Sequence, residues 1–119
     1  KGVSVNVGAV RLSETLWSQE ELNRRLAPAL REVKLVQEKI TPVAVGGTAT
    51  TAAAVHYGIG QYSREAVQGR RITLTDLTGL RDRLAAMSAS ERKNVIGLTP
   101  KRADIIVPGL EILISILDL

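Results

Sequence analysis

The residues with the most chemical promise sit together in Pro42-Val-Ala-Val-Gly-Gly-Thr-Ala-Thr-Thr-Ala-Ala-Ala-Val55. A short apolar run enters the glycine pair Gly46 and Gly47 and leaves as a threonine- and alanine-rich stretch. Glycines between a strand and a helix let the backbone approach a ligand closely, and the unpaired amides and dipole of the following helix suit an anion. Thr48, Thr50 and Thr51 offer hydroxyl donors. A tight βα turn that needs glycine for its dihedrals and threonine as an N-cap would use the same residues, so spacing alone leaves both readings open. Arg11 closes an early β-patterned segment and is either a phosphate-pairing guanidinium or an ordinary surface cation. Glu14 and Asp104 are the carboxylates placed where element ends converge on the glycine loop.

Several chemistries are absent. No lysine follows the glycines, so the loop is not a Walker A motif. Gly58-Ile-Gly60 follows a helix rather than a strand, which makes Gly58 a helix C-cap and not a dinucleotide fingerprint. His56 is the single histidine, so a Ser-His-Asp triad or a histidine-rich metal site is excluded, and near a helix end it reads as complementing the dipole. There is no Asp-x-Asp or similar hard-metal cluster. With no cysteine, thiolate zinc sites, thiol nucleophiles and disulfides are all ruled out, and the chain is expected in the cytoplasm.

The elements that must position the loop follow from periodicity. In residues 3–12 the apolar side chains alternate and change parity at Gly8, which predicts β structure with a bulge or turn there. Ser18 and Glu21 form a capping box opening a helix, whose stripe is Leu22, Leu26, Leu30, Val33, Val36 and Ile40, with Pro28 a source of a kink. A buried strand over 42–46 then leads into the loop and its helix. Residues 71–74 predict a short strand, capped onward by Thr75 or Asp76 into a helix with the stripe Leu77, Leu80, Leu84 and Met87. Ser88 and Glu91 offer a second capping box, and Thr99-Pro100 predicts a largely buried final helix kinked at Pro108. The order of elements implies an α/β layer fold.

At 119 residues the chain is large enough for one core, and a net charge of +4 attracts phosphate-bearing ligands without naming one. The cations are scattered among acids with little aromatic interleaving, so they read as a solvated surface and no nucleic-acid partner is expected. The run 105–119 contains Glu111 and Pro108-Gly109 and is shorter than the ~20 apolar residues of a membrane span, so no membrane partner is expected. Lys1-Gly2 leads into no apolar stretch of the kind that marks a secretory signal.

The glycine loop does not stand alone. Val7-Gly-Ala-Val-Arg-Leu-Ser-Glu14, Val43-Ala-Val-Gly-Gly-Thr-Ala-Thr-Thr-Ala-Ala-Ala54, Val67-Gln-Gly-Arg-Arg-Ile-Thr-Leu-Thr75 and Arg102-Ala-Asp-Ile-Ile-Val-Pro-Gly109 follow one another as blocks that resemble the Ppx/GppA family of exopolyphosphatases and guanosine pentaphosphate phosphohydrolases. The resemblance implies an incomplete ribonuclease H-like lobe of the actin-like ATPase superfamily, with residues 1–119 a single partial domain. That domain is the second, C-terminal lobe without its Asp-x-Gly-Gly-Gly-Ser loop and its last strand. It implies hydrolysis of a terminal phosphoanhydride of polyphosphate or guanosine pentaphosphate with Mg2+, whose ligands lie mostly outside this chain, and a catalytic carboxylate on the missing first lobe.

Carried over residue by residue, the loop Gly46, Gly47, Thr48, Ala49, Thr50 and Thr51 becomes a phosphate- or nucleotide-facing turn, with Arg11, Glu14 and Asp104 as neighbours. No catalytic residue falls within the chain, so it is expected to be inactive alone, because phosphoryl transfer needs both sides of a cleft. A non-catalytic phosphate- or polyphosphate-binding or assembly module is the alternative. If the sheet holds only the segments near 3–12 and 42–46, its edges are open, and docking to the missing lobe or homo-oligomer formation follows.

Overall fold

A computed structural model describes residues 5, 7–14, 18–34 and 42–118. Among them the order is α1 (Ala9–Glu14), α2 (Gln19–Lys34), α3 (Gly47–His56), α4 (Arg64–Val67), α5 (Leu74–Ala85), α6 (Ala89–Arg92), a 3-10 turn (Pro100–Arg102) and α7 (Ile106–Asp118). Helix α7 is the hub against which α1, α2, α3 and α5 pack, and α3 also meets α4 and α5.

Helix starts are where the sequence reading holds best. The Glu21 N–H donates to Ser18 Oγ at 3.1 Å as α2 begins, and Ser88 and Glu91 close a complete capping box on α6. Helix α3 ends in a Schellman arrangement: Gly58, at φ 66°, donates to the Val55 carbonyl, and the Ile59 N–H donates to the Ala54 carbonyl at 2.8 Å. Leu22 and Leu26 of the α2 stripe are buried, and α2 continues through an exposed Pro28. The side chains of Val33, Val36 and Ile40 lie outside the described residues.

The expected β elements do not appear among the described residues. Residues 9–14 are helical rather than extended; the parity change at Gly8 marks the start of α1, where the Leu12 N–H donates back to the Gly8 carbonyl at 3.0 Å. Residues 42–45 are exposed and carry no strand pairing, with Val43 at 84% and Val45 at 86% exposure, because an extended run needs a neighbouring strand to take its backbone groups. Residues 71–73 are not a strand. Thr73 takes the extended conformation of an N-cap, and its Oγ1 accepts from the Asp76 N–H at 3.0 Å, so α5 opens before Thr75. Pro108 sits in the first turn of α7, where amides lack helical partners in any case; the expected long helix is therefore a 3-10 turn, a break and α7.

One cluster of Ala52, Val55, Leu77, Leu80, Leu84, Leu98, Ile106, Leu110 and Ile114 joins α3, α5 and α7, with Met87 packed against it as the α5 stripe predicts. Leu84, Ile106 and Leu110 are its largest fully buried side chains, each worth about 1.5–3 kcal/mol of burial. Ala53, Ala54 and Val67 form a smaller cluster on the other side of α3. With one face on each cluster, α3 is clamped along its length, and that fixes where its first turn points.

Candidate functional site

That first turn begins at Gly46, whose φ of 98° and ψ of 180° belong to a backbone region open almost solely to glycine. Gly46 has no side chain to cap the helix, so among the described residues its opening amides lack the N-cap hydroxyl that starts α4, α5 and α6. The Thr50 hydroxyl turns inward and donates to the carbonyls of Gly46 and Gly47, both at 3.2 Å. Thr51 is buried at 7% exposure, and Ala49 is half-buried.

Two neighbours from residues 100–109 press on this turn. A Cβ on Gly47 would overlap the Arg102 guanidinium, so the arginine lies flat on the space that the glycine leaves. A Cβ on Gly109 would overlap the Thr48 side chain, so the start of α7 sits against the second residue of α3. The guanidinium of half-buried Arg102 thus stands at the positive end of the α3 dipole. Like polarities brought together this way are reconciled by an anion between them, and fixed amides beside a planar guanidinium match the oxygens of a phosphate.

Not all of the residues singled out in the sequence belong to the turn itself. Gly46, Gly47 and Thr48 form the turn, whereas the Thr50 and Thr51 side chains are engaged with or buried in the protein. Arg11 and Glu14 are exposed on α1, which packs on α7, and Asp104 is exposed two residues beyond Arg102. Arg102 itself was missed. It is 55 positions from Gly47 and has no local pattern, though it heads the fourth of the blocks that carry the family resemblance.

His56 lies at the far end of α3, about 15 Å away along the axis. Its Nε2 is 3.7 Å from Asp76 Oδ2, and the two line an open groove of about 230 Å³ with Thr75, Gly79, Leu80 and Arg83. Two carboxyl groups on other helices are shifted. Glu21 is held below its ordinary value by hydrogen bonds from Arg25 and Arg24, and Glu91 by those from the Ser88 backbone and hydroxyl. Among the described residues no three His, Asp or Glu groups come together in a way that could hold a metal ion. No helix among them is long and apolar enough to cross a membrane.

The profile of the Ppx/GppA phosphatase family matches residues 1–119. Exopolyphosphatase 2 of Mycobacterium tuberculosis is 33% identical over 118 residues, covering 89% of this chain and 37% of that protein. A bifunctional 3-dehydroquinate synthase/phosphatase of Fusobacterium nucleatum is 32% identical, over 99% of this chain and 19% of its own length. Among solved structures, the Ppx/GppA family member of Aquifex aeolicus superposes with a TM-score of 0.69 at 27% identity, over 98% of this chain and 40% of that one. A second structure, of the Aquifex aeolicus PPX-GPPA enzyme, gives 0.70 at 28% identity, covering 98% of this chain and 41% of that one. The chain spans well under half the length of each of these relatives, yet sequence and fold agree along almost all of it: it belongs to the Ppx/GppA phosphatase family.

Proposed function

We propose that the chain is a phosphate-holding segment of a cytoplasmic phosphoanhydride hydrolase that removes a terminal phosphate from inorganic polyphosphate or guanosine pentaphosphate. In this reading residues 1–119 are a partial domain, the second ribonuclease H-like lobe of an actin-like unit. The single observation that carries it is the Arg102 guanidinium lying on Gly47 at the uncapped start of α3. A phosphate there accepts hydrogen bonds from the opening amides of α3 and from Arg102, and both donors also face the negative charge that builds on phosphoryl oxygens during transfer. Magnesium, when bound, would neutralise phosphate charge, with its ligands mostly outside this chain. Arg11, Glu14 and Asp104 stay in the proposal as neighbours of the site, and no nucleic acid or membrane partner enters it.

A second reading, a module that holds phosphate without hydrolysing it, rests on the same contact of Arg102 with the α3 opening, which supplies donors for a phosphate and no base for a water. Calorimetric titration with tripolyphosphate at low salt tests what the two readings share. The chain is expected to bind, more weakly as salt is raised, and Arg102→Gln should cost about ten- to a hundredfold in affinity, the worth of a charge-assisted hydrogen bond. A wild-type chain that ignores tripolyphosphate sinks both readings. Parallel titration with guanosine pentaphosphate reads the substrate preference.

A further inference from the structure

We propose that Arg92 is a positioning residue of this site, acting through Arg102; the inference rests on the reading of the α3 opening as a phosphate site. Arg92 closes α6, whose first turn is fastened by the Ser88–Glu91 capping box. Its side chain is half-buried and reaches two carbonyls: Nε donates to Leu84 O at 2.8 Å, and Nη1 makes a longer contact with Ala103 O at 3.4 Å. Both carbonyls belong to fully buried residues, Leu84 and Ala103 at 0% exposure. The first lies in the last turn of α5, where the helix dipole favours a cation. The second belongs to the residue that follows Arg102.

The turn bearing Arg102 is shaped by its own hydrogen bonds, from the Arg102 N–H to Thr99 O at 3.0 Å and from the Ala103 N–H to Pro100 O at 3.3 Å. Those bonds give the turn its form but do not place it on the protein. Buried Leu98 and Ala103 seat its two ends, and the Arg92 fork ties the carbonyl that follows Arg102 to the end of α5. Placement matters here because Arg102 faces the positive end of α3, and in the absence of an anion that arrangement is repulsive. An untethered turn would let the guanidinium swing into water, and each binding event would then have to order it again. Arg92 touches no phosphate in this arrangement. It keeps the residue that does in register with Gly47.

The test is a double-mutant cycle on the full 119-residue chain, titrated with tripolyphosphate and accompanied by thermal unfolding. Arg92→Gln should weaken binding about three- to tenfold, the range of one lost buried hydrogen-bonding group. Arg92→Lys keeps the charge but not the fork and should weaken it as well. In an Arg102→Gln background, either change should alter affinity less than about twofold, since coupled residues do not add. Wild-type affinity in Arg92→Gln, full rescue by Arg92→Lys, or an equal loss in both backgrounds would each overturn the inference while leaving the site in place. Absence of binding by the wild type, or no loss in Arg102→Gln, removes the site and the inference together. Should Arg92→Gln fail to fold, the lysine variant completes the same cycle.

Discussion

Gly47 carries no side chain where the Arg102 guanidinium lies, and this separates what the residue does for the fold from what it does for the ligand. It is the first residue of α3 and has no positive φ, so alanine suits its backbone at no cost in helix propensity. The methyl group would meet only the far end of a flexible side chain, which can move away. Gly47→Ala should therefore leave the melting temperature unchanged or slightly higher while weakening tripolyphosphate binding, with titration and thermal unfolding run on the same preparation. Lower stability with unchanged affinity would show the glycine to be structural. At this scale half of the candidate site was legible in the sequence. Gly46 and Gly47 stand out because paired glycines before a helix need a backbone reason, whereas Arg102 is one of many arginines until the fold sets it on Gly47.

The helix caps were legible because a cap is local: Ser88 and Glu91 are three residues apart and complete their bonds within one turn, at 3.0 Å and 3.2 Å. The strands were not legible, because alternation such as Val43-Ala-Val45 reports a pattern of side chains and is silent about the neighbour that would pair with them. Residues 9–14 show the same gap from the other side, since a few apolar residues after a glycine suit one helical turn as well as a strand end. The α6 cap also sets a pH dependence. The Ser88 N–H, followed by the Ser88 hydroxyl, holds the Glu91 carboxyl below its ordinary 4.5, so the folded form favours the carboxylate. A lowered folded value means that the contribution is fully present above about 4.5 and is lost as pH falls through that lowered value. Amide chemical shifts of Ser88, Glu91 and Arg92 should move together as pH drops below 4.5, and Glu91→Gln should flatten the response. An identical acid transition in that variant would assign the change to another group.

On the scale of the whole molecule, helices α3, α5 and α7 enclose one aliphatic core, and the site lies at one end of α3 where the segment leading into α7 crosses it. In the proposed reading this geometry supplies fixed donors for an anion, which bears on binding rather than on turnover. Phosphoryl transfer also needs a group to orient the attacking water and cations around the transferred phosphate, and the family resemblance implies that the catalytic carboxylate lies on the other lobe. The relatives carry most of their length outside the part that matches this chain, 63% of it in the Mycobacterium tuberculosis protein, which this chain covers to 37%. Binding and hydrolysis should therefore separate. With magnesium and long-chain polyphosphate, the chain alone should release no inorganic phosphate even where titration shows it occupied, and release should begin when the unmatched part of a family relative is added. Phosphate release by the chain alone, abolished by changing Glu14 or Asp104, would instead place a catalytic carboxylate among these residues. If release in the mixture is lost with Arg102→Gln, then the cation that anchors the phosphate also serves its transfer.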